Sequence, residues 1–217
     1  MQSLAVTKDL VEKIEGLLKR IPFFKKFHDE SPILFQRIIH LAEIIEVDTD
    51  EYILKKGQKN DGVYFLLKGQ LDVLLEEDSA PSALNQILPG EMFGIISMMT
   101  GDNRSASIKT TSSHKKHLIF KLDNEFISGT SRHSQLTLNI QINFYRFALD
   151  NIRWLLEQQK MALPDAELLQ ALREKRFLPI SNTHDLSELE ALKEQCKIMA
   201  EFVVLWNQKR IPVSELV

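Results

Sequence analysis

One cysteine, Cys196, stands among 217 residues, so the chain forms no internal disulfide. That fits a reducing compartment, with Cys196 expected as a buried free thiol. No apolar run approaches the roughly 18 residues that span a bilayer. The N-terminal stretch "MQSLAVTKDLVEKIEGLLKR" is amphipathic and broken by charge, unlike a secretory signal. A cytoplasmic protein with no membrane partner is expected. Charge of one sign is missing too: the formal net charge is −3, with 44% hydrophobic and 26% charged residues. Nothing in that balance calls for nucleic acid or an anionic surface. Catalytic patterns are also absent. No serine sits in a nucleophile elbow and no Cys–His arrangement is suggested. A cupin-type metal enzyme on a β-roll needs two histidines one residue apart with a further carboxylate and histidine. The six histidines do not give that pair; His114 and His117 flank two lysines at a turn or strand end. The chain is therefore expected to be no enzyme, with no catalytic residue, no metal and no cofactor.

Glycine is missing from one end only. All eight glycines lie between Gly16 and Gly129. Turn-rich β structure uses glycine for positive φ, whereas helices avoid it. A β-rich middle giving way to an all-helical C-terminal third is the expectation, an α+β chain.

What is present agrees. Leu10, Ile14, Leu17 and Leu18 recur at helical spacing, and Ser31-Pro32 reads as an N-cap followed by proline at the first helical position. From Asp48 the period changes to short β-prone runs, with turns at Gly57, Asn60-Asp61-Gly62 and Lys68-Gly69. "EEDSAPSA" is a polar loop, and "SASIKTTSSHKKHLIFKL" supplies two more strands. Many short strands with frequent turns predict a barrel or jelly roll rather than a parallel sheet. A long helix over Ser134–Gln159 then carries two apolar seams, one through Ile140, Phe144 and Phe147, the other through Ile142, Tyr145, Leu149, Ile152 and Leu156. Two apolar faces ask for two partners, the roll and a second copy of the chain, so a homodimer is expected, with packing inside a monomeric helical subdomain as the plain alternative. Pro164 ends that helix or begins the next. Asp185 with Glu188 forms a capping box for a last helix, whose apolar end, Phe202, Val203, Leu205 and Trp206, needs covering.

The stretch "FGIISMMTGDNRSASI" carries the specific chemistry. Gly94 permits close backbone approach before a short helix, whose amino end suits an anion. A turn at Thr100–Asn103 returns the chain to Arg104, a planar fork of donors fit for a phosphate. Ser105, Ala106 and Ser107 are small. The pocket so formed is expected to bind a compact phosphate monoanion and to do no chemistry on it. The plain alternative pairs Arg104 with Asp102 or another acid.

The segment resembles the phosphate-binding cassette of the cyclic-nucleotide-binding domains, found in catabolite-activator-type regulators, regulatory subunits of protein kinase A and cyclic-nucleotide-gated channels. "IPFF" at Ile21–Phe24, "EYILKKGQKNDGVYFLLKGQLDV", "LPGEMFG", "TGDNRSAS" and "LIFKLDNEF" agree in order and spacing over roughly residues 15 to 160. The resemblance implies an eight-stranded β jelly roll with flanking helices and an all-α C-terminal region. The expected division is an N-terminal helix at 1–20, the roll at 21–133, a dimer-prone helix at 134–160 and a helical region at 161–217. It further implies a ligand set of Gly94, Ile95, Ile96, Ser97, Arg104, Ser105 and Ala106. Arg104 would hold the cyclic phosphate of cAMP or cGMP. Ile95 is a departure, standing where the family has a glutamate that accepts from the ribose 2′-hydroxyl; a bond to a charged group is worth about 1.5–3 kcal/mol. Ser97 and Glu91 are nearby acceptors in its place. Three states of the pocket stay open: a cyclic nucleotide site, a site for another phosphate or acid, and an empty scaffold.

Catabolite-type regulators end in a winged helix-turn-helix, with a tight turn and a β wing. Residues 131–217 have neither glycine nor hairpin signal, and their acidic and basic side chains balance at eleven each. The basic run Arg173–Arg176 reads as a solvated helix face. DNA is thus not the expected partner, and a transcription regulator with an atypical C-terminus is the alternative. The leading expectation is a non-catalytic signalling module that passes a ligand state to its helical third, with a homodimer or protein partner as the output.

Overall fold

A computed structural model of the chain describes residues 2–4, 7–75, 85–128 and 136–210. The polar loop "EEDSAPSA" and the expected helix start at Ser134 lie outside them. The chain opens with strand β1 (Gln2–Ser3), then α1 (Lys8–Leu18), α2 (Pro22–Glu30) and α3 (Pro32–Leu41). Thr7 caps α1, its hydroxyl accepting from the Leu10 amide at 3.3 Å. Proline opens both α2 and α3. Ser31 stands at the expected N-cap of α3, but its side chain makes no capping bond. It closes the preceding helix instead, its amide donating to Phe27 O at 2.9 Å. One residue joining two helices has its geometry set by both.

The roll follows as β2 (Glu43–Asp48), β3 (Tyr52–Leu54), β4 (Gly62–Lys68), β5 (Leu71–Leu74), β6 (Asn85–Ile87), β7 (Met92–Phe93), β8 (Ser107–Thr110) and β9 (Lys116–Asp123). Helix α4 (Ile95–Thr100) lies between β7 and β8. Two antiparallel sheets result, ordered β1-β2-β9-β4-β7 and β3-β8-β5-β6. This is the expected jelly roll, with nine strands among the described residues. The addition is the two-residue β1, which pairs Gln2 with Glu46 in a stretch expected to belong to an N-terminal helix at 1–20.

Strand β4 shows why "VYFLL" is apolar throughout. Val63, Phe65 and Leu67 face the helices, whereas Tyr64 and Leu66 face the opposite sheet. Alternate residues of a strand point to opposite faces, so a sheet covered on both sides loses its polar alternation. The "IPFF" pair packs on the helix side: Phe24 meets Phe65 and Phe120 at 4.7 and 5.5 Å, and Phe23 meets Phe144 at 5.6 Å.

After α5 (Asn124–Ser128) come α6 (Leu138–Ala162), α7 (Ala166–Glu174) and α8 (Leu186–Arg210). Asp185 caps α8, accepting from the Glu188 amide at 3.0 Å, and the Glu188 carboxylate reaches back to the His184 amide at 2.8 Å. Buried Glu188 also pairs with Arg146 of α6. The second apolar face of α6 is covered by α8 of the same chain; Tyr145, Leu149, Ile152 and Leu156 share a core with Leu192, Cys196, Phe202, Val203 and Trp206. Of the four residues at the apolar end of α8, only Leu205 stays exposed. Trp206 is buried, its indole donating to Leu163 O at 2.9 Å. Burial pushes the Cys196 thiol up to about 12. The run Arg173–Arg176 is solvated. No helix among the described residues is long and apolar enough to cross a membrane.

Candidate functional site

The site grows from the β7–α4–β8 connection. Gly94, at φ +77°, turns β7 into α4 in the left-handed region, and Gly101, at φ +80°, closes the helix in the same way. A Cβ on Gly94 would lie 2.8 Å from the Arg104 Nη1 and 3.2 Å from the Tyr64 ring. The glycine is required because a guanidinium packs against it.

Arg104 is 3% exposed and pinned at both ends. Its amide donates to Gln58 O and its carbonyl accepts from the Gly57 amide, both at 2.8 Å. Nη1 donates to Gly94 O and to the Ser97 hydroxyl, each at 2.8 Å. Nη2 donates to Asp61 Oδ1 at 2.7 Å and to Gly62 O at 2.8 Å. The guanidinium lies 5.5 Å from the centre of the Tyr64 ring. All four Nη hydrogens are taken, and Nε has no partner.

The acid paired with Arg104 is Asp61, distant in sequence, and not the adjacent Asp102. Asp61 also accepts from the Tyr64 hydroxyl at 2.9 Å and pairs with Lys121 at 3.0 Å. Partial burial would raise its pKa, but bonds from Lys121, Tyr64 and Arg104 hold it below the usual carboxylate range. Burial, then the bond to Asp61, drives the Tyr64 phenol far upward.

Beside this cluster is a cavity of about 120 Å³. All seven residues of the expected set, Gly94, Ile95, Ile96, Ser97, Arg104, Ser105 and Ala106, line it. Ile95 is 1% exposed and belongs to the main core. The two acceptors nearby are engaged: Ser97 bonds Arg104 and donates to Gly94 O at 3.3 Å, and Glu91 Oε2 accepts from the Leu88 amide at 2.8 Å.

The far wall comes from the C-terminal helices. Trp154 and Gln159 of α6 and Val203 and Asn207 of α8 line the same cavity. A bond from Asn85 Nδ2 of β6 to Gln158 Oε1 at 2.7 Å ties α6 to the roll. Sequence reasoning missed Gln159 and Asn207. Their signal was an amide where an apolar residue is expected: Gln159 follows Leu156 by three positions and Asn207 follows Val203 by four, both on buried faces. His117 is buried in β9, and its ring stands 6.0 Å from that of His114. Among the described residues no group of three or more His, Cys, Asp or Glu is placed to hold a metal ion.

Residues 44–115 match a family model described as Cyclic nucleotide-binding domain. Over 100 residues the chain is 30% identical to the cAMP-dependent protein kinase type II regulatory subunit of Drosophila melanogaster, covering 45% of this chain and 25% of that protein. Over 110 residues it is 26% identical to human cGMP-dependent protein kinase 2, covering 50% of this chain and 14% of the kinase. The chain thus spans a quarter or less of the length of these relatives. Among solved structures, the regulatory domain of Toxoplasma gondii PKA with cAMP aligns at a TM-score of 0.48 and 13% identity, over 67% of this chain and 53% of that one.

Proposed function

The chain carries a domain of the cyclic-nucleotide-binding family, and from that premise we propose that it is a non-catalytic regulatory module sensing cAMP or cGMP beside Arg104. The observation that carries this reading is the shared cavity. Cassette residues form one wall, and helices α6 and α8 form the other. A ligand there touches both the sensing and the responding part of the chain.

The phosphate's donor is Arg104 Nε, the one guanidinium nitrogen left without a partner. The Nη groups hold the cassette in shape. At about 120 Å³ the cavity is smaller than the roughly 300 Å³ at which ligand pockets begin. A cyclic nucleotide therefore has to move a wall. The roll is cross-linked by its ladders, so α6 and α8 are the walls that give. A ligand that favours the widened arrangement shifts the population toward it, and the helices carry the signal. Trp154 and Met161 of α6 and Leu205 of α8 are exposed apolar groups. They offer a face to a second copy of the chain or to a regulated protein.

Melting the full chain with cAMP or cGMP tests this. Ligand that binds the native state at a hundred times its Kd adds about 2.7 kcal/mol, seen as a higher melting temperature. Arg104→Lys, which keeps the charge but lacks Nε, should lose most of that rise. No rise at millimolar cAMP or cGMP would falsify the sensor reading. It would leave the second one, a ligand-free scaffold, favoured by the four occupied Nη hydrogens and by Ile95.

A further inference from the structure

Three residues that line the cavity each hold a buried polar atom without a hydrogen-bond partner: Nε of Arg104, Oε1 of Gln159 and Oδ1 of Asn207. The residues are 3%, 4% and 6% exposed. They come from three separate places, the loop after α4, the last turn of α6 and the last turn of α8. Buried polar groups are almost always paired. Three carried by residues around one cavity describe the hydrogen bonding of what belongs there: a group that accepts at Arg104 and donates toward two amides.

We propose that Gln159 and Asn207 are specificity residues, an acceptor pair that reads the amino-bearing edge of the base, so that α8 supplies part of the binding site. This rests on the cyclic-nucleotide reading above. The donors of cAMP are its ribose 2′-hydroxyl and its 6-amino group; cGMP has the 2′-hydroxyl, N1–H and 2-amino group. With the phosphate at Arg104, the sugar lies along the cassette wall, where the side chain of Ile95 accepts nothing. The base then extends toward the opposite wall, where the unpaired amide oxygens are. An amide head presents an acceptor and donors side by side, the pattern that pairs with an adenine edge. Asn207 lies in α8, so engaging it reports the presence of the base directly to the last helix.

Two near-isosteric variants test the pair in the full chain, Gln159→Met and Asn207→Leu. Calorimetric titration with cAMP, cGMP and 6-deamino-cAMP, whose unsubstituted purine has neither an exocyclic amine nor an N1–H, is combined with melting of the unliganded protein. Each variant is expected to weaken cAMP about three- to tenfold, the size of one net hydrogen bond. Wild type should bind 6-deamino-cAMP more weakly than cAMP by a similar factor. The unliganded variants should melt no lower than wild type, because removing an unpaired buried polar atom costs nothing. A purely structural amide would behave in the opposite way, with lower melting and unchanged affinity, and that result overturns the proposal. Equal affinities for cAMP and 6-deamino-cAMP overturn it as well. Wild-type binding that both variants retain removes the amide pair and leaves the sensor reading standing. No binding of cAMP or cGMP to wild type removes both. Glu201→Ala, on the exposed side of α8, is the control that should keep wild-type affinity.

Discussion

Ile95 sets the terms at the level of single residues. Its side chain is part of the main core and also lines the cavity. Ile95→Glu should therefore cost on the order of 3 kcal/mol in urea unfolding of the unliganded protein, as burial of a polar group without a partner does. If the ribose lies there, the new carboxylate gains a charged hydrogen bond, and cAMP should bind about ten- to a hundredfold tighter than to wild type. By the same argument 2′-deoxy-cAMP should bind wild type as well as cAMP does. A large preference for the ribose form would place the sugar elsewhere. The cassette was legible in the sequence because it is local: glycine, short helix, glycine and arginine follow within eleven residues. The partner of Arg104 was not, since Asp61 arrives from the turn before β4, 43 residues away in sequence. Gln159 and Asn207 were hidden for the same reason. Nothing in a helical repeat says which polar position another element will cover.

Among elements, β9 carries the clearest consequence. Its His117 is fully buried against Gly69, where an added Cβ would sit 2.3 Å from the imidazole and φ is +104°. Burial, more than any other influence, holds the His117 pKa below its usual value. The unfolded chain then takes up the proton first as pH falls. Stability from this site is complete above about pH 6.5 and declines as pH drops toward the folded-state value. Urea midpoints should fall between pH 7 and pH 5, and His117→Gln should flatten that decline. An unchanged slope in the variant would place the titration on another group. Asp61 acts in a separate window. Its depressed pKa gives stability that is present above about pH 4 and lost only below it. The period of the strands and helices was readable from the sequence, and so were the two apolar seams of α6. The seam left two covers open, a second chain or a helical subdomain of the same chain, because it records that it is covered and not by what; α8 packs on it here.

On the scale of the whole molecule, α8 is no appendage. One contiguous core runs from Ile14 and Phe24 through Phe65 and Phe120 to Ile152, Cys196 and Trp206. Trp206→Ala should cost about 3–5 kcal/mol, the usual price of emptying a buried aromatic site. It should also lower the unfolding midpoint of the β-roll and of the helices together, so that tryptophan fluorescence and far-ultraviolet circular dichroism trace one transition. Two separated transitions would mean that the helical third folds by itself. The two tryptophans differ sharply in setting: Trp154 stands exposed on the rim of the cavity, while Trp206 is sealed in the core. Their emission separates by colour, a red-shifted band from the rim and a blue-shifted one from the interior. The molecule thus carries its own optical gauge, in which an occupant at the rim perturbs one band while the other keeps time with the integrity of the fold.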